Sequence, residues 1–168
     1  FEMKHCIYLT LAIFIFSSCG NKNDKLLELK VKELEKKVSE SYKPEFSAIM
    51  IGIQAHHQKL YFSGLNKNWE LAQYNIHEIE EGIEQIEEYH PEHDGVNTGK
   101  IAGQMIDAGI EMVEDAIKQK NDTLFLESFD ALTNSCNACH LVSKHGFIKI
   151  KTPSVNTFSN QEFKTENK

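Results

Sequence analysis

Four stretches with apolar side chains at helical spacing place the strongest constraint on how this 168-residue chain can fold. They cover residues 44–64, 69–89, 98–120 and 123–145. Apolar residues that recur every three or four positions form one face of a helix, and that face has to be buried against another element. The chain has only three prolines, and none of them interrupts a stretch. The sequence therefore predicts an all-α fold.

Near-equal helices joined by short links are typical of an antiparallel up-down-up-down four-helix bundle. We expect Asn68 to cap the second helix, Asn97 or Thr98 the third, and Asp122 the fourth, which Gly146 should end. The apolar stripes also predict the core. Its expected members are Leu71, Ile76, Ile79, Ile83, Ile86, Ile101, Met105, Ile106, Ile110, Met112, Val113, Ile117, Leu124, Phe125, Phe129 and Leu132.

The first residues have the composition of an export signal. A short basic start, "MKH", precedes the 11-residue apolar run "CIYLTLAIFIF", which is shorter than the roughly 20 residues needed to span a membrane. Small residues before Cys19 in "FSSCG" resemble a bacterial lipobox. We therefore interpret residues 1–18 as a lipoprotein signal peptide and Cys19 as the lipidation site; the alternative is an ordinary signal with an incidental cysteine. Either reading places the folded part in the bacterial cell envelope, outside the cytoplasm, and lipid on Cys19 would anchor it to a membrane.

Residues 19–43 are interpreted as a tether and helical spacer. Leu27, Val31, Leu34 and Val38 are spaced by four, three and four residues, as in a coiled-coil seam two heptads long. The segment could lift the folded domain away from a membrane, or it could associate with a second copy to form a homodimer. The domain itself is expected over residues 44–146, followed by a C-terminal tail over residues 147–168, of which the start should pack on the domain and the last few residues should be disordered.

The stretch "SCNACH" contains the motif C-x-x-C-H, formed by Cys136, Cys139 and His140 on the last predicted helix. This spacing is typical of covalent c-type haem attachment. Two thiols one helical turn apart can reach both vinyl groups on one edge of the porphyrin, and the adjacent histidine can supply an axial nitrogen to the iron.

Two other kinds of site use the same residue types. A zinc site normally needs a second pair of ligands, but Cys6 and Cys19 lie in or next to the signal and no other cysteine remains in the domain. A thioredoxin-like redox pair belongs at the start of a helix beside parallel strands. Here the motif lies near the end of a helix in a strand-poor chain, so haem attachment is the favoured interpretation.

A C-x-x-C-H motif on the last of four helices resembles the cytochrome c′ and cytochrome c556 family. The stretch "FDALTNSCNACHLVSKHG" carries the resemblance most specifically, and it extends over residues 44–146. The stretch "HHQKLYFSGLNKNWELAQY" and the tail are similar to a subgroup of uncharacterised exported bacterial cytochromes and lipoproteins. The resemblance implies one covalent haem c, with His140 as the proximal iron ligand.

Members of this family differ at the other face of the iron. Cytochromes of the c556 type supply a methionine from the first helix and carry electrons, whereas cytochromes c′ leave the iron five-coordinate and bind NO or CO. If the first and last helices are antiparallel neighbours, Met50 lies level with His140, so we expect Met50 as the distal ligand and His57 as the alternative, with an open site as the third option. Gln54 shares their helix face and should line the same pocket. Met50 could instead be an ordinary core residue, and His56 and His57 could be surface residues.

Charge limits the classes of function. The chain has a formal net charge of −7 and contains no arginine, which argues against nucleic-acid binding. Without arginine, Lys144 or Lys149 is the expected partner of a haem propionate. The acidic run at residues 78–88 could dock a lysine-rich redox protein, and the loop His90–Asp94 is either a metal site or a solvated loop. No catalytic set is evident, so the sequence predicts an electron carrier and not an enzyme, with gas binding as the alternative.

Overall fold

The computed structural model describes residues 22–165. It contains five helices in that range: α1 Lys22–Ser41, α2 Phe46–Leu65, α3 Trp69–Tyr89, α4 Thr98–Lys118 and α5 Asp122–Val142. No strand occurs among the described residues, where an isolated bridge joins His93 and Val96. The all-α prediction is confirmed for this part of the chain. The expected signal peptide and Cys19 lie outside it.

The chain divides into two compact units, with the boundary between Lys43 and Pro44. Helix α1 is the described part of the first unit, and α2 to α5 belong to the second. Within residues 22–165, no helix is both long and apolar enough to cross a membrane.

An asparagine caps the start of each of the helices α3, α4 and α5. Its side-chain oxygen accepts a hydrogen bond from the backbone N–H three residues further on: Asn68 from Leu71, Asn97 from Lys100, and Asn121 from Leu124. These bonds satisfy N–H groups that have no partner inside the helix. The prediction was right for Asn68 and Asn97 but wrong for Asp122. Asn121 caps α5, and Asp122 begins the helix, where its negative charge is favourable at the positive end of the helix dipole.

Helix α5 ends earlier than Gly146, the residue expected to stop it. The last helical residue is Val142, and Lys144 adopts a left-handed backbone conformation with φ of 66°. This conformation turns the chain so that the N–H of His145 donates to the carbonyl of His140 at 2.7 Å. The turn closes the helix with a bond to a late carbonyl, as glycine often does, and sends the following residues back along α5.

Helix α2 packs against α3, α3 against α4, and α4 against α5, while α2 and α5 touch over a shorter length. The centre of the resulting core is completely buried and includes Leu60, Ile76, Ile79, Val113, Phe125, Phe129 and Leu132. Met112 is placed wrongly, because it is 47% exposed, and Leu71 and Ile101 are only half-buried and lie outside the core cluster. Met112 lies one position, and so about 100° around the helix, from the buried Val113.

The contact between α2 and α5 includes Gly64, which lies directly against the ring of Phe125. A methyl group on Gly64 would overlap the ring of Phe125, so only glycine allows the two helices to approach this closely. Further toward the start of α2 and the end of α5, the side chains of both helices line a cavity.

Candidate functional site

A cavity of about 380 Å³ lies among α2, α3, α4, α5 and the segment after α5. Its wall is largely apolar, with Phe46, Ile53, Ile83, Ile86, Ala102 and Ile106 among the lining side chains. All six residues that the sequence assigns to a cofactor site line this one cavity: Met50, Gln54 and His57 on α2, and Cys136, Cys139 and His140 on α5. Side chains more than 75 positions apart are thus brought together, as the antiparallel pairing argument expected.

Cys136 and Cys139 are both free thiols. Burial, together with the neighbouring Cys139, raises the pKa of Cys136 to about 12, and burial also raises the pKa of Cys139. Both sulfurs are therefore protonated and uncharged at neutral pH.

His140 is buried, and its ring is fixed by one hydrogen bond. Nδ1 lies 3.0 Å from the backbone carbonyl oxygen of Ile148. Because a carbonyl only accepts, Nδ1 must carry the proton and donate it. In the neutral ring, Nε2 then has the lone pair with which an imidazole binds a metal, and the carbonyl holds the ring in orientation.

His57 is 4% exposed, so the alternative of a surface residue is wrong. Its Nε2 lies 2.8 Å from the hydroxyl of Thr133, which itself donates to the carbonyl of Phe129 at 2.8 Å. Since the Thr133 proton is used, Nε2 of His57 must donate, and only Nδ1 retains a lone pair. Burial lowers the pKa of His57 to about 4, so the ring is neutral at physiological pH.

The other α2 candidates occupy different environments. Met50 is half-buried, packs against the core and lines the cavity, whereas Gln54 lines the cavity from an exposed position. His56 does not line the cavity. Its Nδ1 lies 3.0 Å from the side-chain oxygen of Asn75 on α3. The adjacent histidines are therefore separated, with His57 facing the cavity and His56 facing α3.

The chain after α5 forms one wall of the cavity, and sequence reasoning missed the residue that holds it. The side-chain amide of Asn137 donates to the carbonyl of Ile150 at 2.9 Å and accepts from its N–H at 2.8 Å. Ile148 and Ile150 line the cavity as a result. Asn137 is one of the two variable positions of C-x-x-C-H, and nothing in the motif spacing marks it.

We call residues 148–163 the C-terminal strap, because they cross from α5 to α2. Thr152 donates to Asp130 on α5 at 2.9 Å, and Gln58 on α2 donates to the carbonyl of Val155 at 2.9 Å. Phe163 is 4% exposed. The start of the tail was expected to pack on the domain; the packing in fact extends to Phe163.

Histidines line one edge of the cavity. The rings of His93 and Phe46 stack with centroids 4.0 Å apart, and the rings of His93 and His145 are 6.4 Å apart. Lys144 and Lys149, expected beside a carboxylate of the cofactor, are exposed and do not line the cavity, whereas His93 and His145 do. Across residues 22–165, no group of three or more His, Cys, Asp or Glu side chains is placed to hold a metal ion.

The cavity thus combines a fixed imidazole lone pair and two uncharged thiols on α5 with a thioether and a second neutral imidazole on α2. No protein-family model, curated protein or solved structure matches this chain.

Proposed function

We propose that this chain is a mono-haem c-type cytochrome that carries electrons, with α2 to α5 arranged as the antiparallel four-helix bundle of the cytochrome c′ and c556 type. One observation carries the proposal. His140 lines the same apolar cavity as the thiols of Cys136 and Cys139 and as Met50 and His57 on α2, and its Nδ1 contact leaves Nε2 for a metal. The motif is defined by the spacing of residues in the sequence and the cavity by the packing of the helices, so the two observations are independent.

The size and the apolar lining of the cavity support the proposal. Its volume of about 380 Å³ lies within the range of small-molecule and cofactor sites, roughly 300–1,000 Å³. A haem iron already has four porphyrin nitrogens, so it needs only one or two ligands from the chain, and His140 with Met50 or His57 could supply them. When bound, the haem supplies a one-electron iron couple.

The chain's own residues would hold that group. Cys136 and Cys139 would form the two thioether bonds, and His140 would bind the iron through Nε2. The apolar lining, including Ile148 and Ile150 of the strap, would exclude water from the iron. Exclusion of water and a fixed proximal ligand both favour a stable coordination geometry, which limits rearrangement when the iron changes oxidation state.

Met50 is the favoured distal ligand and His57 the alternative. His57 could bind the iron only through Nδ1, because its Nε2–H donates a hydrogen bond to Thr133. Binding through Nε2 would break that buried hydrogen bond. Among the described residues, the thioether of Met50 has no hydrogen bond that iron binding would break. Ligation by Met50 together with His140 would suit electron transfer, and this is why we place gas binding second.

The setting of the protein is part of the proposal. The interpretation of residues 1–18 as a signal and of Cys19 as a lipidated cysteine would anchor the domain at a bacterial envelope membrane. The exposed glutamates of α3 would then be available to a lysine-rich redox protein.

The test is an optical spectrum of the purified ferrous protein, with and without carbon monoxide. Covalent haem should be present, and should be lost when Cys136 and Cys139 are both replaced by serine. A protein that retains zinc and no haem would contradict the proposal. A rapid spectral shift on adding carbon monoxide would replace electron transfer by the open-site alternative.

Matched variants identify the distal ligand. Met50→Ala should open the site to carbon monoxide, and Met105→Ala should not, because Met105 is a half-buried methionine that does not line the cavity. His57→Gln is compared with His56→Gln in the same way, since His56 lies next in the chain but faces α3. If only His57→Gln changes the spectrum, His57 is the ligand and Met50 is a wall residue.

A further inference from the structure

Helix α1 carries an apolar seam on its exposed surface. Four side chains at coiled-coil spacing are 44–62% exposed: Leu27, Val31, Leu34 and Val38. The helix has 20 residues and is therefore about 30 Å long. A helix of this length is marginal alone in water, and a continuous apolar stripe on it normally marks a binding surface.

We propose that α1 pairs with α1 of a second copy of this chain in a parallel two-stranded coiled coil. The seam places Leu27 and Leu34 at heptad position d, and Val31 and Val38 at position a. A β-branched residue at a with leucine at d favours two parallel strands over three or four. Identical seams on the two copies make the contact self-complementary, so it closes at a dimer. This inference is independent of the haem.

Charges beside the seam select the orientation. Positions g hold Lys30 and Lys37, and positions e hold Glu28 and Glu35. In a parallel pair, g faces e of the next heptad, which sets Lys30 opposite Glu35 of the partner subunit, twice by symmetry. An antiparallel pair would set lysine against lysine and glutamate against glutamate. Charge complementarity therefore favours the parallel dimer.

The ion pairs within α1 do not involve Lys30 or Glu35. Within one helix, Lys32 pairs with Glu28 at 3.5 Å, Lys37 with Glu33 at 2.7 Å, and Lys36 with Glu40 at 3.7 Å. Such pairs four residues apart support the helix itself. Among residues 22–165, neither Lys30 nor Glu35 has an ion-pair partner. The two charges that would meet across the dimer are thus unused inside it.

Cysteine cross-linking of the full chain tests the pairing and its direction. Leu27→Cys places a thiol at a d position, where it meets the same residue of a parallel partner and is remote from it in an antiparallel one. Leu29→Cys is the control, because Leu29 is 60% exposed but lies at position f, away from the seam. Under mild oxidation, we expect a disulfide-linked dimer several-fold more abundant with Leu27→Cys than with Leu29→Cys. Equal cross-linking by both, or none by either, would overturn the proposal.

Sedimentation of the full chain gives an independent readout. Because the seam is only two heptads long, the unmodified chain should shift from monomer to dimer as its concentration rises. Val31→Glu with Leu34→Glu should keep it monomeric while leaving the optical spectrum of any bound haem unchanged. Dimers that survive this double substitution would locate the contact elsewhere. A seam protected only when lipid vesicles are added would assign it to a membrane surface instead.

Discussion

The side chain of Asn137 pairs with the backbone of Ile150 through two hydrogen bonds, at 2.9 and 2.8 Å. Asn137 lies between Cys136 and Cys139, and the neighbouring carbonyl of Ile148 holds the ring of His140. The turn of α5 that presents the thiols and imidazole to the cavity therefore also holds the strap. The motif and the strap fix each other's positions.

Replacing Asn137 by alanine should loosen the strap. Both hydrogen bonds are lost, and the N–H and carbonyl of Ile150 are left without those partners, so we expect a loss of about 1–3 kcal/mol in the free energy of unfolding. Urea titration measures the loss, and hydrogen exchange of the Ile150 amide should accelerate. Asn134→Ala is the control, since Asn134 is exposed on the same helix. Equal effects of the two substitutions would contradict the role given to Asn137.

The buried imidazole of His57 should make stability depend on pH. Burial lowers its pKa from 6.5 to about 4 in the folded chain, so between these values the unfolded chain binds a proton that the folded chain does not. The free energy of unfolding should therefore fall as the pH drops from 6.5 to about 4, by roughly 3 kcal/mol in total, and this contribution should be constant above 6.5. The measurement is a series of urea titrations of the haem-free chain. His57→Gln should remove this component of the slope, and an unchanged slope would show that other groups cause it.

The two thiols should react at different rates before any cofactor is attached. The thiolate is the reacting form, and burial raises the pKa of Cys136 to about 12 and that of Cys139 less far above its usual range. We expect alkylation of Cys136 at pH 8 to be at least about 100-fold slower than that of an exposed cysteine, with Cys139 in between. Peptide mass spectrometry after timed treatment with iodoacetamide follows each site. In urea both should react alike, and a folded chain in which Cys136 reacts first would refute the burial argument.

Two glycines of α2 should respond to alanine in opposite directions. At Gly64 a methyl group would overlap the ring of Phe125, and overpacking of this kind costs about 1–3 kcal/mol. At Gly52 nothing lies within 4 Å of the added carbon, so alanine should stabilise the helix by about 0.5–1 kcal/mol. Thermal unfolding of both variants gives the comparison. If Gly64→Ala left the unfolding temperature unchanged, the close contact of α2 with α5 would be wrong.

The sequence predicted the features that depend on local pattern. Helical periodicity located α2 to α5, and Asn68 and Asn97 were identified as caps because capping involves residues three positions apart. The six residues assigned to the site line one cavity, and a level-matching argument on two helices was enough to expect Met50 and His140 in the same pocket. Whether they hold a haem stays a prediction.

The features that the sequence did not predict depend on distant partners. The buried ring of His57 donates a hydrogen bond to Thr133, which lies 76 positions away in the sequence. No local pattern predicts that contact. Asn137 would be interpreted as an ordinary surface residue of a helix, since an asparagine there usually faces water. Its role depends on the path of the strap, which becomes known only after Lys144 turns the chain back.

The strap is also the last part of the domain to be synthesised. Protein chains are synthesised from the amino end, so residues 148–163 appear after the whole of α5 is complete. Until they dock, the cavity lacks the wall formed by Ile148 and Ile150, and Nδ1 of His140 lacks its carbonyl partner. During that interval the thiols can be approached from a side that is later covered. A bulky group would enter most readily in this interval, and the docking of the strap would then enclose it.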